Sequence, residues 1–167
     1  MNNADNTKQP VLNANGVSSA RLRNAKNTRP NFEPRDVVSI SAGGFIGANA
    51  RYLFGIWASA HLGSHWPFGT WIINITGCFV LGLFVPIQQA RGWSDQTRLA
   101  VAIGFLGAYT TYSTFELDTY GLFQHHRYLA SAVYVPTSFT AGFLAVYLGA
   151  VAARLLIYIG SSKNERN

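Results

Sequence analysis

The chain has 167 residues, enough for one domain, with 49% hydrophobic residues, only 12% charged residues and a net charge of +6. Its basic residues lie mainly in a polar N-terminal segment without interleaved aromatic residues, which argues against nucleic acid as a partner and favours an anionic lipid surface. The single cysteine, Cys78, excludes an intrachain disulfide, and no pattern of Ser, His and Asp or of metal-ligating side chains supports catalysis, so we do not expect an enzyme.

Residues 1–36 are rich in Asn and basic residues and show no helical or strand period, which predicts a disordered basic tail. Four apolar runs follow, at about 37–61, 69–87, 99–123 and 129–159. The second run is free of charge and, at ~1.5 Å per residue, reaches about 28 Å, enough to cross a hydrocarbon core. We therefore predict an all-α membrane protein with four transmembrane helices over 37–160 and a short C-terminal tail over 161–167.

The distribution of Lys and Arg predicts the orientation of these spans. If the N-terminus lies inside, most basic residues of the tails and connections lie on the inner side, and Arg127 alone lies on the outer side. The positive-inside rule then places both termini in the cytoplasm. We expect a multi-pass protein of the cell inner membrane, in contact with lipid.

Small residues recur every four positions in the fourth run and also occur at this spacing in the first. Small residues let two backbones approach closely in lipid, although they are also common in membrane helices generally. The pattern predicts smooth helix–helix contacts, either within the subunit or between subunits, at Ala141, Ala145, Gly149 and Ala153 and at Gly43 and Gly47.

The third run contains the sequence Gly-Phe-Leu-Gly-Ala-Tyr-Thr-Thr-Tyr-Ser-Thr-Phe at 104–115, which is unusually polar for a lipid-facing helix. Gly107, followed by consecutive Thr residues, predicts a break in the helix, and the alternative is a Ser/Thr-rich packing helix. Carbonyl groups freed at a break can coordinate a cation, and hydroxyl groups can donate to an anion. Tyr112 and Phe115 are three residues apart and share a face if the helix resumes.

Asn74 is an isolated carboxamide in the second run. Such a group is costly in a membrane unless it is paired or lines a hydrated path. Its two N–H donors suit an anion, but an interhelical hydrogen bond explains it equally well. Both interpretations stay open from the sequence alone.

Three segments together resemble the Fluc or CrcB family of small dimeric fluoride channels. They are Gly-Gly-Phe-Ile-Gly-Ala-Asn-Ala-Arg at 43–51, Gly-Thr-Trp-Ile-Ile-Asn-Ile-Thr-Gly at 69–77, and the segment 104–115. The resemblance covers about residues 37–155 and leaves out the N-terminal tail. It implies four-helix subunits that form an antiparallel, dual-topology dimer with two pores, through which fluoride leaves the cell passively.

The resemblance also implies roles for individual residues. Backbone carbonyl groups of Gly107 and Thr110 would hold a structural sodium ion at the dimer centre, which is not transported. The ion pathway would contain the pore asparagine, two aromatic residues and several polar side chains, namely Asn74, Tyr112, Ser113, Phe115, Thr70, Tyr134, Ser138 and Asp118.

Three positions depart from the family pattern. Tyr112 stands where the family usually has Phe, Asp118 where it usually has Glu, and Gly142 where some members carry a hydroxyl group. Lys and Arg are also strongly biased toward one side of the predicted membrane when the tail is counted, whereas a chain that inserts in both orientations needs a weak bias. The dimer is therefore either a homodimer or a heterodimer with an oppositely oriented relative.

Two other functions compete with a fluoride channel. A small proton-coupled multidrug exporter also uses four short spans, but it needs an acidic residue in the first span, where this chain has Arg51. A non-conducting partner subunit of a heterodimeric fluoride channel is the second alternative, and Tyr112 keeps it open.

Overall fold

The computed structural model describes residues 33–63 and 65–164, which are helical and, within these ranges, contain no strand. This confirms the all-α prediction for the described residues. Most of the predicted N-terminal tail and the last three residues lie outside the described ranges. The elements are α1 (Pro34–Leu62), α2 (Phe68–Arg91), α3 (Asp95–Arg98), the π-helix π1 (Leu99–Leu106), α4 (Gly107–Tyr109), α5 (Tyr112–Gln124) and α6 (Tyr128–Asn164).

Several helix ends differ from the sequence prediction. Helix α1 begins at Pro34, within the segment predicted as tail, because proline is well suited to the first turn of a helix. Helix α2 continues to Arg91, where Gly92 in the left-handed conformation (φ 59°) ends it by donating to the Gln88 and Gln89 carbonyls. Helix α6 continues to Asn164, so it includes part of the predicted C-terminal tail.

Two of the helices are long and apolar enough to cross a membrane. They are Phe68–Arg91, with 24 residues, and Tyr128–Ser162, with 35 residues. Large hydrophobic side chains are exposed on both, including Phe79 and Leu148, as expected for helices whose outer surface faces lipid. The count of four spans stays a prediction.

Glycines allow α1 to pack directly against the backbone of π1. A β-carbon at Gly43 would overlap the Ala100 carbonyl, and one at Gly47 would overlap the Phe105 carbonyl. Such close approach allows many van der Waals contacts, which replace the hydrophobic effect as the main attraction between helices in lipid. The predicted contact of the first run is confirmed, and it lies within the subunit.

Helices α2 and α6 pack in the same way along their middle turns. A β-carbon at Gly82 would overlap the Val146 carbonyl, and one at Gly149 would overlap the Phe79 carbonyl. Ala145 and Ala153 of the predicted stripe are also buried. The stripe on the fourth run is therefore a contact with α2 of the same chain.

We predict that Gly149→Ala lowers the stability of the protein, because the new methyl group forces α6 away from the Phe79 backbone. Overpacking of this kind costs about 1–3 kcal/mol, and its effect can be measured as a lower thermal midpoint in detergent. Gly160→Ala is the matched control, since no atom lies within 4 Å of its β-carbon position on the same helix. Equal midpoints for the two variants would contradict the close α2–α6 contact.

Candidate functional site

The third run is broken at Thr110 and Thr111. Thr110 has ψ 156° and Thr111 has φ −149° and ψ 116°, so both residues are extended between α4 and α5. Gly107 itself is helical, with φ −63° and ψ −34°. The predicted break therefore exists, and it lies at the consecutive Thr residues that follow Gly107.

The Asn74 side chain forms two hydrogen bonds with the backbone of Thr111. Asn74 Nδ2 donates to the Thr111 carbonyl at 3.1 Å, and the Thr111 N–H donates to Asn74 Oδ1 at 2.8 Å. The carboxamide thus satisfies both backbone groups of this extended residue, as a neighbouring strand would. Of the two interpretations left open for Asn74, the interhelical hydrogen bond is present, and one Nδ2–H remains beyond this pair.

Helix α2 also contacts the two residues that precede Thr111. Thr76 Oγ1 lies 3.1 Å from the Tyr109 hydroxyl group, just before the break. A β-carbon at Gly77 would overlap the Thr110 methyl group, so only glycine leaves room for this side chain. The consecutive residues 109, 110 and 111 therefore all contact α2.

The Thr111 side chain caps the helix that follows the break. Its Oγ1 accepts the Thr114 N–H at 3.2 Å and donates to Thr114 Oγ1 at 3.0 Å. An N-cap hydroxyl satisfies one of the N–H groups that lack a partner at the start of a helix. Ser113 Oγ lies 3.3 Å from Thr111 Oγ1, on the exposed side of the helix.

A cavity of about 380 Å³ lies beside the break. It brings together six of the residues predicted from the sequence, whereas Ser113 does not line it. The predicted residues are Asn74, Gly107, Thr110, Tyr112, Phe115 and Ser138, and the other lining residues include Thr111, Cys78 and Phe139.

The two predicted aromatic residues differ in exposure. Their ring centroids are 6.0 Å apart, so they share a face of α5 as predicted. Phe115 is only 6% exposed and packs edge-on against Phe139, whereas Tyr112 is 70% exposed in the single chain. The Tyr112 hydroxyl group is the feature that departs from the family pattern, and Tyr112 lines the cavity.

A line of polar groups leaves this cavity along α6. Ser138 Oγ, at the cavity, donates to the Tyr134 carbonyl at 2.7 Å, and the Tyr134 hydroxyl group donates to Asp118 Oδ2 at 3.4 Å. Thr70 and Asp118 line the same cavity at the end of this line. Tyr134 is completely buried and packs against the Phe115 ring, with centroids 5.2 Å apart.

This polar line ends at a second cavity of about 350 Å³. Thr70 and Asp118 line it, and His125 and Arg127 lie at its exposed edge. Apart from Ser113, the predicted pathway residues therefore lie at the two cavities or between them, with Tyr134 as the buried residue between them.

Within residues 33–63 and 65–164, no group of three or more His, Cys, Asp or Glu side chains is placed to hold a metal ion. Gly107 and Thr110, the two residues whose carbonyl groups were predicted to hold sodium, both line the first cavity.

Two contributors to the site were missed by the sequence analysis. Thr111 lies within the polar segment but was given no role, although Thr is a preferred N-cap residue and α5 begins directly after it. Trp66 lies in the loop before α2 and packs edge-on against Tyr134, with centroids 5.2 Å apart. No local pattern identifies Trp66, because its contact depends on tertiary structure.

The chain matches the family model described as CrcB-like protein, Camphor Resistance (CrcB), over residues 38–150. A relative from Acidobacterium capsulatum, named fluoride-specific ion channel FluC, is 42% identical over 119 residues, which cover 71% of this chain and 95% of the relative. Relatives with the same name from a Synechococcus species and a Roseiflexus species are 42% and 38% identical, and the aligned regions cover 91% and 98% of these two relatives.

We predict that Tyr134→Phe lowers stability by roughly 1 kcal/mol, because the ring still fills its buried position while Asp118 loses a hydrogen-bond donor. The thermal midpoint in detergent measures this loss. Tyr158→Phe is the control, since Tyr158 is 74% exposed. An unchanged midpoint for Tyr134→Phe would show that the hydrogen bond to Asp118 does not stabilise the fold.

Proposed function

The chain belongs to the CrcB family, and from that premise we propose that it is a fluoride-specific ion channel through which fluoride leaves the cell passively. The name shared by the relatives supports this function. The observation that carries it is the series of polar groups between the two cavities, from Asn74 and Ser138 through Tyr134 to Asp118 and Thr70.

Fluoride is small and strongly hydrated, so a pore has to replace its water with hydrogen-bond donors. The second Nδ2–H of Asn74 and the hydroxyl group of Ser138 are such donors along the proposed path. Ser138 Oγ donates to the Tyr134 carbonyl of its own helix, and rotation of the hydroxyl group turns its proton toward the path. The electropositive edge of the Phe115 ring offers a weaker contact that does not trap the ion.

The direction of flow follows from the acid–base chemistry of the ion. Hydrogen fluoride is neutral and crosses membranes from acidic surroundings, and it ionises in the more alkaline cytoplasm. The anion that forms there cannot return through the lipid, so a passive anion pathway lowers cytoplasmic fluoride without an energy source.

We further propose that a second copy of the chain covers the cavity at the break. Irregular backbone is not tolerated against lipid, yet Thr110, Thr111 and the exposed Tyr112 all line this cavity. A protein surface therefore has to cover it. An antiparallel dimer of four-span subunits in the inner membrane, with two pores, agrees with this requirement and with the family resemblance.

A structural sodium ion fits the chemistry of the break. The ligands proposed for it are the Gly107 and Thr110 carbonyls, and carbonyl oxygens at an interrupted membrane helix are suitable ligands for sodium. When bound, the ion supplies positive charge that attracts carbonyl groups of two subunits to one point. The residues of this chain would hold the ion through their backbone carbonyls, and such a site needs no acidic side chain.

The multidrug-exporter alternative is not supported by the described part of the first helix. Its one acidic residue, Asp36, lies in the first turn of α1, away from the middle of the span, where a proton-coupling site is needed. The alternative of a non-conducting partner subunit is retained, because Tyr112 stands in the proposed path where the family usually has Phe.

We predict that liposomes containing the purified chain release fluoride rapidly and retain chloride, as recorded with ion-selective electrodes. Release by the chain alone would rule out an obligate heterodimer. Folded protein without any fluoride flux would contradict the proposed function for this chain. If Tyr112→Phe then restored the flux, the native chain would be the non-conducting subunit.

We predict that Ser138→Ala reduces fluoride flux about fivefold, because the loss of one hydrogen bond along the path raises the barrier by about 1 kcal/mol. Thr137→Val is the matched control. Thr137 is adjacent on α6 and its hydroxyl group also donates to a helix carbonyl, but it does not line the cavity. Equal flux reductions in the two folded variants would exclude a specific role for Ser138.

A further inference from the structure

The break in the third run interrupts the helical pairing of the carbonyl groups that precede it, and two of these carbonyls concern the proposed sodium site. In a continuous α-helix each carbonyl accepts the N–H of the residue four positions later. The Gly107 carbonyl would accept the Thr111 N–H, and the Thr110 carbonyl would accept the Thr114 N–H. These are the two carbonyls proposed above as sodium ligands.

The structure shows where the first of these N–H groups goes. Thr110 has ψ 156°, which turns the Thr111 peptide away from the axis of α4. The Thr111 N–H then donates to Asn74 Oδ1 at 2.8 Å, and Asn74 Nδ2 holds the other side of the same residue. Asn74 thus takes the donor that would otherwise occupy the Gly107 carbonyl.

The second N–H group is diverted within the third run itself. The Thr114 N–H donates to Thr111 Oγ1 at 3.2 Å, so the N-cap side chain takes the donor that would otherwise occupy the Thr110 carbonyl. The two diversions meet at one residue, because Asn74 binds the backbone of Thr111 and the side chain of Thr111 accepts from Thr114.

We propose that Asn74 and Thr111 are positioning residues that create the cation site by diverting these two N–H donors. The ligand class is a monovalent cation bound by carbonyl oxygens. The inference rests on the proposed sodium site and adds the cause of that site. It also gives Asn74 two connected roles, since the carboxamide that borders the anion path maintains the cation ligands.

The test measures the thermal midpoint of the full-length protein in detergent, in NaCl and in N-methylglucamine chloride at equal ionic strength. We expect Na⁺ to raise the midpoint of the native protein. Thr111→Val removes the oxygen that accepts from Thr114, and Asn74→Leu removes the oxygen that accepts from Thr111. Both variants should lose most of the Na⁺-dependent rise, whereas Thr111→Ser, which keeps the hydroxyl group, should retain it.

Thr119→Val controls for a general weakening of α5, because Thr119 Oγ1 donates to the Phe115 carbonyl on the same helix and lies away from the break. It should retain the Na⁺-dependent rise. A folded Thr111→Val that keeps the full rise, or a Thr119→Val that loses it, would overturn the proposal. A native protein that conducts fluoride but gains no stability from Na⁺ would also overturn it, while leaving the channel function intact.

Amide hydrogen exchange of the native protein gives a second measurement that does not depend on the folding of any variant. Thr111 and Thr114 N–H groups donate to protein oxygens that are independent of the cation, so we expect both to be protected with Na⁺ and with N-methylglucamine. Rapid exchange at these amides under both conditions would overturn the proposal.

Discussion

The two hydrogen bonds between the Asn74 carboxamide and the Thr111 backbone are the interaction on which the rest of the site depends. A membrane offers no water to an interrupted helix, and each unsatisfied backbone group there costs several kcal/mol. Asn74 removes this cost at the one residue that is most fully extended. The chain can therefore keep a polar interruption inside the third run, which we predict to be a membrane span.

The consequences of this contact extend in two directions. Toward α4, the released carbonyl groups provide ligands suited to a cation. Toward α5 and α6, the cavity beside the break continues into the series Ser138, Tyr134 and Asp118, which we propose as part of the anion path. The proposed cation ligands are backbone carbonyls, whereas the proposed anion donors are side-chain groups, so the two proposed sites use different atoms of one region.

Much of the fold follows from local patterns. Apolar runs indicate the helices, and the small residues Gly43, Gly47 and Gly149 indicate where helices approach closely. The family resemblance supplies the site residues, and most of these line the two cavities. The exact position of the break does not follow from local patterns. Gly107 has the stronger intrinsic tendency to interrupt a helix, yet it is helical, because Asn74 and Gly77 on another helix select Thr110 and Thr111 instead.

The separation of Asn74 and Thr111 by 37 positions has a consequence for biosynthesis. A helix interruption that depends on a distant partner cannot form while its own segment is being synthesised and inserted alone. If the third segment is a span, as predicted, it can enter the bilayer as a continuous helix with its backbone satisfied and adopt its interruption only when it meets the second helix. The second helix leaves the ribosome before the third segment, so Asn74 is already present when that segment is inserted.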